Sequence, residues 1–489
     1  GAASLQYGTQ FGGLINFKFK DPDTNRIHIV SRLSGGSFGF LNSFTSLSGT
    51  VGKISYYSFY QYKHGNGWRP NSQFGLNCGY GMVQYKPTEK LSIRAEYTHM
   101  QYLAKQPGGL SDQQFARDPS ASYRNRNWFD VNWNLAAITV NYNPNNDWRI
   151  SWCTFGLHAS RMALGYLERP DRADDTTANR KLLSDRYNNI GSELRVLHYY
   201  TIGDSMNSVF LVGARLYSGN TNQLQGEADN SADPNFFLLE TEGAKQSEYF
   251  FPSRNIALFA ENIFYLSEKI NITPGIRYEN IRTVSDGYYK TEYRDLAGNL
   301  LLREWNEEYR VSRRQLVLFG LGTQYRLTDK VDLYANISQN YRSINFNDMR
   351  VVNANFRVDP NLKDESGYTA DLGMHWMIPD ALYIDAGVFF LRYNNRIGTV
   401  IREDSLTYSL YNLRTNVSNS RNLGAELFIE YNWLHRFETL HNLSTFINYS
   451  LIDAKYTGSE QSAYTGKKVE LVPTHIFRTG VSWKYKKLA

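Results

Sequence analysis

The sequence predicts an all-β protein, a transmembrane antiparallel β-barrel whose strands are joined alternately by short turns and long polar loops. Three observations carry this prediction. Aromatic residues are abundant in a chain of polar mean hydropathy, apolar and polar residues alternate along many segments, and the connections alternate in length. A sheet with one face in an apolar medium and the other in water produces such a pattern.

Composition defines the class of protein. Phe, Trp and Tyr make up 15% of the 489 residues, yet the mean hydropathy is −0.50. A membrane-spanning helix needs about 18 or more consecutive apolar residues, and the sequence has no such run, so any membrane span would be formed by strands. The 53 basic and 47 acidic residues are interspersed, which is untypical of a nucleic-acid-binding protein. We therefore expect lipid, and no nucleic acid, as a partner.

Period-two segments recur along the chain. Apolar residues occupy alternate positions over 91–97, 331–337 and 425–433, as in strands with one apolar face. Counting from Asn25 predicts about 18 strands, the last over 469–486. An open sheet of that size would expose unpaired edges to hydrocarbon. The interpretation is a barrel of about 22 strands, the number found in plugged transporters, whose last strands this chain lacks.

The connections between the predicted strands differ in length. Short turns are predicted at 87–90, 144–147, 203–205, 266–269, 328–330 and 379–380. Long polar loops are predicted at roughly 103–126, 163–187, 218–250, 284–308, 343–365 and 457–468. Outer-membrane barrels have short periplasmic turns and long extracellular loops. We therefore expect the short turns to face the periplasm.

The first 22 residues have a different character. Small residues precede Tyr7-Gly8, and a Gly-Gly pair at 12–13 precedes a strand-like run over 14–20. The stretch resembles the last segment of the plug domain of TonB-dependent outer-membrane receptors. The matching residues are Gly1, Ser4, Tyr7, Gly8, Gly13, Ile15 and Asn16. The resemblance implies a plug tail over residues 1–22 and an outer-membrane barrel, incomplete at its C-terminus, over 23–489.

Later stretches extend the resemblance. The region around 341–365 is similar to the family's F-R-x-x-x-F-x-D-L … N-P-x-L-K-P-E region, with Asp364 in place of the usual Pro. The stretch 416–427 is similar to the family's N-x-G-x-x-R-x-x-G-x-E-L strand, with Ser418 where Gly is common. The loop over 106–129 resembles that of receptors of the ferric dicitrate type, as found in Bacteroidota.

The resemblance implies an active importer in the bacterial outer membrane. Its ligand would be a ferric chelate, ferric citrate or another siderophore, bound above the plug. The TonB–ExbB–ExbD complex would pull on the plug through an N-terminal segment that lies upstream of Gly1. Haem, cobalamin or an oligosaccharide would fit the same fold. A passive porin is a rival interpretation, which the plug-like tail disfavours.

Two loops contain the candidate ligand-binding residues. Arg117, Arg124 and Arg126 converge beside aromatic residues, and a guanidinium pairs well with the carboxylates of an anionic chelate. The alternative is that these arginines pair with acidic residues of their own loop. Arg342 and Asn345, where a strand is expected to leave the barrel, are the other candidates.

No catalytic set is recognisable in the sequence. There is no G-x-S-x-G, no H-E-x-x-H, no Walker loop and no spaced Cys/His cluster. The sequence therefore predicts a protein that is not an enzyme and that uses no cofactor or metal site of its own.

Overall fold

The computed structural model describes residues 5–8, 11, 14–167, 170–203, 206–295, 297, 299–349, 356–403, 410–435, 437, 441–459 and 464–485. The strands of this part of the chain are β1 (His28–Gly36), β2 (Phe40–Val51), β3 (Ile54–Gly65), β4 (Phe74–Thr88), β5 (Leu91–Lys105), β6 (Trp128–Tyr142), β7 (Trp148–Gly165), β8 (Arg180–Ile202), β9 (Met206–Ala228), β10 (Lys245–Tyr265), β11 (Ile270–Arg294), β12 (Leu300–Thr328), β13 (Val331–Arg342), β14 (Phe356–Val358), β15 (Glu365–Ile378), β16 (Leu382–Glu403), β17 (Leu410–Asn432), β18 (His441–Ser459) and β19 (His475–Tyr485). The helices that lie wholly within the described residues are a 3-10 helix (Leu5–Tyr7), α1 (Asp112–Arg117) and α2 (Phe346–Met349). No helix of the described residues is long and apolar enough to cross a membrane.

All strands belong to one sheet of 19 strands. Each strand from β1 to β12 pairs antiparallel with the next, β13 pairs with β15, and the meander continues to β19. The short β14 instead pairs in parallel with β17. The prediction of about 18 antiparallel strands is thus confirmed. Within the described residues, β1 pairs with β2 alone and β19 with β18 alone.

The two faces of the sheet have opposite chemistry, as the period-two pattern predicts. On β8, Ile190 and Leu194 are exposed on the outer face, while Asp185 and Glu193 lie buried on the inner face. The strands on either side repeat this alternation, which gives an apolar outside and a polar lumen. An apolar outer band with a polar interior is the arrangement of an outer-membrane barrel.

The short turns lie where the sequence predicts them, except that residues 204–205 of one turn lie outside the described residues. For example, β4 ends at Thr88 and β5 begins at Leu91. The predicted loop 218–250 is too long, because β9 continues to Ala228 and β10 begins at Lys245. One predicted long loop is wrong. The segment 284–308 is mostly strand, because β11 continues to Arg294 and β12 begins at Leu300. Tyr288 of β11 and Glu307 of β12 are paired on the outer face of this hairpin. Polar side chains therefore occupy both of its faces, and the sequence here lacks the apolar alternation that marks a strand inside the membrane.

The N-terminal stretch lies against the inner face of the barrel. Phe19 stacks on Tyr80 of β4, with ring centroids 4.0 Å apart. Residues 1–4, 9–10 and 12–13 lie outside the described residues, so the motif residues Gly1, Ser4 and Gly13 have no structural account here. The division of the chain at residues 22 and 23 stays a prediction.

Candidate functional site

The floor of the candidate site is the N-terminal tail, here residues 5–8 and 11. Arg277 on β11 donates from Nη1 to the carbonyl oxygens of Leu5, at 3.0 Å, and Gln6, at 3.2 Å. The backbone N–H of Gln6 donates to Glu261 on β10 at 3.1 Å. The tail is therefore fixed to the wall through its backbone.

The roof is a segment that leaves β13 and returns at β15, here called the strap (described over residues 343–349 and 356–364). Asn345 begins α2: its Oδ1 accepts hydrogen bonds from the backbone N–H groups of Asn347 at 2.9 Å and Asp348 at 3.3 Å. A side-chain acceptor at this position satisfies N–H groups that lack helical partners. Asn345 thus has a structural role in the described conformation.

The strap crosses the lumen from one wall to another. Arg310 and Arg314 on β12 donate to strap carbonyls, those of Val358 at 3.4 Å and Ile344 at 3.2 Å. Four strand pairings further along the sheet, β14 pairs with Asn412–Arg414 of β17. Between these anchors Ile344 and Met349 of the strap pack against Tyr249 and Phe251 of β10. Apolar packing and backbone hydrogen bonds therefore hold the strap inside the barrel.

Buried carboxylates fix the two ends of the strap. Arg342, at the end of β13, pairs with Glu365 and also with Asp348 at 2.9 Å. Asp364 accepts from the hydroxyl of Tyr341 at 2.6 Å and from the backbone N–H of Ile344 at 2.8 Å. Asp348 and Glu365 are almost fully buried. Because a carboxylate is costly to bury without partners, these ion pairs make one strap conformation strongly preferred.

Four ion pairs of the inner face expose the guanidinium more than the carboxylate. Arg161 on β7 pairs with Asp185, and its side chain is 44% exposed whereas that of Asp185 is 6% exposed. Arg310 is 33% exposed and its partner Glu308 is 15% exposed. In the pairs of Arg195 with Glu193 and of Arg342 with Asp348, the carboxylate is again the more buried partner. The pairs of Arg277 with Glu279 and of Arg314 with Asp364 have the reverse order. An anionic ligand in the lumen would therefore meet the guanidinium groups of the first four pairs.

The three predicted arginines of the loop after β5 have different environments. Arg117 is exposed in the last turn of α1, which begins with a capping box formed by Ser111 and Gln114. Arg124 is buried, donates to the carbonyl of Tyr123 at 3.0 Å and stacks over the ring of Tyr166. That these residues contact a ligand stays a prediction.

Arg126 belongs to a cluster here called the loop clamp: Arg126, Asp174, Arg180 and Asp229. Arg126 is 3% exposed and donates from Nε and Nη2 to the two carboxylate oxygens of Asp174 at 3.0 and 2.5 Å. It also donates to four carbonyl oxygens, of Asp175, Thr176, Ala178 and Asn230. The hydrogen bond to Asp174 raises the pKa of Arg126 above its ordinary value. With its donors used in this way, Arg126 would have to break loop contacts to reach a ligand.

Arg180 forms the other half of the loop clamp. It pairs with Asp229 and donates to the carbonyl oxygen of Asp233 at 2.7 Å. Arg180 lies on the same face of β8 as Leu182 and the exposed Ile190, which is the outer face. The loop clamp therefore holds the long loops after β5, β7 and β9 together, with Arg180 on the outer face of the sheet.

Sequence reasoning missed Arg161 and Arg310. Both lie on inner-face positions of their strands. For Arg310 the sequence offered a signal, an acidic residue two positions away at Glu308, as also occurs in the pair Glu193 and Arg195. Arg161 has alanine at both of these positions, so this signal could not have found it. In the part of the chain that the structure describes, no group of three or more His, Cys, Asp or Glu side chains is placed to hold a metal ion.

The fold and this site define a class of protein, a plugged outer-membrane barrel. Over residues 67–488 the chain matches the family described as "TonB dependent receptor-like, beta-barrel", and it belongs to that family. It is a protein of the bacterial outer membrane.

Solved structures share the fold. The unliganded ferric citrate transporter FecA has a TM-score of 0.73 at 19% identity, with 94% of this chain and 64% of that chain covered. The siderophore receptor PiuA from Acinetobacter baumannii has a TM-score of 0.73 at 12% identity, with 96% of this chain and 70% of that chain covered. The copper transporter OprC has a TM-score of 0.67 at 14% identity, covering 94% and 66%. The chain thus spans 64% of the length of the ferric citrate transporter.

Proposed function

We propose that this chain forms the barrel of a TonB-dependent active importer of an anionic ferric chelate, ferric citrate or another siderophore. One observation carries the proposal: above the tail, ion pairs such as Arg161–Asp185 and Arg310–Glu308 bury the carboxylate and expose the guanidinium. The protein performs no covalent chemistry in this proposal. It captures a scarce anion between the tail and the strap and releases it when the plug is moved.

The relatives support this class of ligand. They include a ferric citrate transporter and a siderophore receptor, besides a copper transporter. A positively charged lumen favours an anionic chelate over a neutral oligosaccharide. Energy would come from the TonB–ExbB–ExbD complex, acting on the plug of which residues 5–8 form the described tail. The predicted residues Arg342 and Asn345 would act by holding the strap over the ligand.

The test is uptake of radioactive ferric citrate by cells whose other iron importers have been deleted and which produce the full-length receptor. We expect saturable uptake that requires TonB. Excess unlabelled ferric citrate should compete with this uptake, whereas haem and cobalamin should not. Uptake that persists without TonB would support the porin alternative. Competition by haem or cobalamin, with no ferric chelate competing, would refute the ligand class and leave the family membership intact.

A further inference from the structure

The loop after β9 forms a cleft on the outside of the barrel. The cleft has a volume of about 760 Å³ and lies between the loop residues 238–243 and the tips of β11 and β12. Small-molecule sites have volumes of about 300–1000 Å³. Tyr288 of β11 and Trp305 of β12 form its aromatic wall, with their rings at 84° and the centroids 5.3 Å apart.

Both walls are held in place without a ligand. The loop is fixed by a hydrogen bond from the backbone N–H of Leu239 to the carbonyl of Glu227, at 2.9 Å. Leu238 packs on the buried cluster of Leu164, Leu182 and Ala228. On the other wall, the hydroxyl of Tyr288 donates to Glu248 at 2.9 Å. The cleft is therefore a built feature and not a gap between unanchored loops.

The groups that face the cleft still have hydrogen-bonding capacity. Among the described residues, the indole N–H of Trp305 and the carboxylates of Glu240 and Glu307 have no hydrogen-bond or ion-pair partner. Lys245, the one basic residue of the lining, is neutralised by Glu248 at 2.7 Å. The lining therefore combines an exposed aromatic face, a donor and two acceptors with excess negative charge. Such charge disfavours an anionic ligand.

The position of the cleft separates it from the transport path. Trp305 and Glu307 alternate with the lumen-facing Glu308 and Arg310, and they share the outer face of β12 with the exposed Val317. The 12 residues from Trp305 to Val317 span about 40 Å of strand. The cleft thus faces the aqueous zone well above the apolar band of the barrel.

We propose that this cleft binds a neutral saccharide. A sugar presents an apolar C–H face, which stacks on an aromatic ring, and a rim of hydroxyl groups. The Trp305 ring would receive the apolar face, its N–H would donate to a ring or hydroxyl oxygen, and Glu240 and Glu307 would accept hydroxyl protons. The saccharide could be free in the medium or the headgroup of a glycolipid of the outer leaflet, since both present the same chemistry.

The experiment uses the full-length receptor, purified in lauryldimethylamine oxide because this detergent has no sugar headgroup. One arm measures saturation-transfer NMR with maltotriose, cellotriose and triacetylchitotriose. The other arm measures binding of a neutral glycolipid, monoglucosyl diacylglycerol, to the receptor in nanodiscs. The variants are Trp305→Ala, Glu307→Gln and the control Tyr309→Ala, which removes an aromatic ring from the same face of the same strand outside the cleft.

We expect saccharide binding in at least one arm. Trp305→Ala should weaken this binding tenfold or more, and Tyr309→Ala should leave it unchanged. Glu307→Gln should weaken it less, because the amide still accepts a hydrogen bond. Ferric citrate uptake should stay the same in all three variants, so the saccharide site and the proposed transport fail or succeed independently. No binding in either arm, or equal loss in Trp305→Ala and Tyr309→Ala, overturns the proposal.

Discussion

The ring of Phe11 stacks on the ring of Tyr393, with centroids 3.8 Å apart and an interplanar angle of 19°. Tyr393 donates its hydroxyl to Glu365 at 2.5 Å, and Glu365 pairs with Arg342. Arg342 in turn pairs with Asp348 of α2. An unbroken series of contacts therefore joins the tail on the floor of the lumen to the strap that forms its roof.

Tyr393→Phe should loosen the strap. The change removes one donor from the buried carboxylate of Glu365 and leaves Arg342 and the backbone N–H of Ile397, at 2.7 Å, as its partners. Losing a hydrogen bond to a buried charged group costs about 1–3 kcal/mol. Hydrogen exchange of the backbone amides over 344–349 should accelerate by about tenfold.

Phe11→Ala should have the same effect on the strap, but smaller, because aromatic stacking contributes about 0.5–1.5 kcal/mol beyond burial. Tyr97→Phe is the control, since it removes an exposed hydroxyl that donates to Asn134 far from the strap. Unchanged exchange over 344–349 in Phe11→Ala would show that the tail and the strap are mechanically independent.

Arg161→Ala and Arg310→Ala should each weaken binding of ferric citrate to the full-length receptor roughly ten- to a hundredfold. A charge-assisted hydrogen bond to a ligand carboxylate contributes about 1.5–3 kcal/mol. Arg313→Ala is the matched control, because Arg313 lies on the outer face of the same strand as Arg310. Isothermal titration calorimetry gives the affinities. Equal losses in Arg310→Ala and Arg313→Ala would indicate a long-range charge effect and no direct contact.

The sequence predicts the wall of the barrel well because the membrane imposes a simple rule. Each spanning strand must alternate between lipid and lumen, and the period-two segments such as 91–97 coincide with observed strands. Beyond the membrane the rule ends. β11 and β12 continue for many residues with both faces in water, so a local pattern could not separate a long hairpin from a loop.

The candidate site was less predictable, because it depends on partners distant in sequence. Arg126 and Arg161 are both arginines near aromatic residues, and only the fold shows that Arg126 meets Asp174 in a buried pair whereas Arg161 stays half-exposed. The strap was recognisable as a return loop at 343–365. Its crossing of the lumen, through the pairing of β14 with β17, had no local signal.

The sidedness of the barrel gives a further prediction. With Cys78 and Cys153 replaced by Ser, Asp171→Cys in the loop after β7 should react with an impermeant maleimide on intact cells. Asn145→Cys, in the short turn before β7, should react only after the outer membrane is opened. Both positions are exposed, so burial does not explain a difference. The opposite pattern would reverse the assignment of the short turns to the periplasm.

Arg126→Ala should disorder the extracellular loops and leave the barrel intact. Removing one partner of a buried ion pair costs about 3–5 kcal/mol, because the remaining charge of Asp174 stays buried. Limited proteolysis on intact cells should cut the loop over 170–179 at least tenfold faster than in the unaltered receptor. Arg117→Ala, at an exposed position in the same long loop, is the control. Weaker ferric citrate binding without faster proteolysis would instead support a direct ligand contact by Arg126.

Acidification should open the loop clamp from the side of Asp229. Partial burial acts to raise the pKa of Asp229, but hydrogen bonds from Arg180, Asn235 and Ser231 outweigh it and hold the pKa below its ordinary value of 3.8. A carboxyl group with a lowered pKa in the folded state contributes stability that is complete above the unfolded-state pKa. That stability is lost as the pH falls through the lower, folded-state value.

Hydrogen exchange over 229–244, corrected for the intrinsic effect of pH, should therefore be constant from pH 7 to 5 and accelerate below pH 4. Asp229→Asn should remove most of this acid dependence, because the amide carries no titrating charge. An acid response that is the same in Asp229→Asn would show that another group controls the opening of the loop.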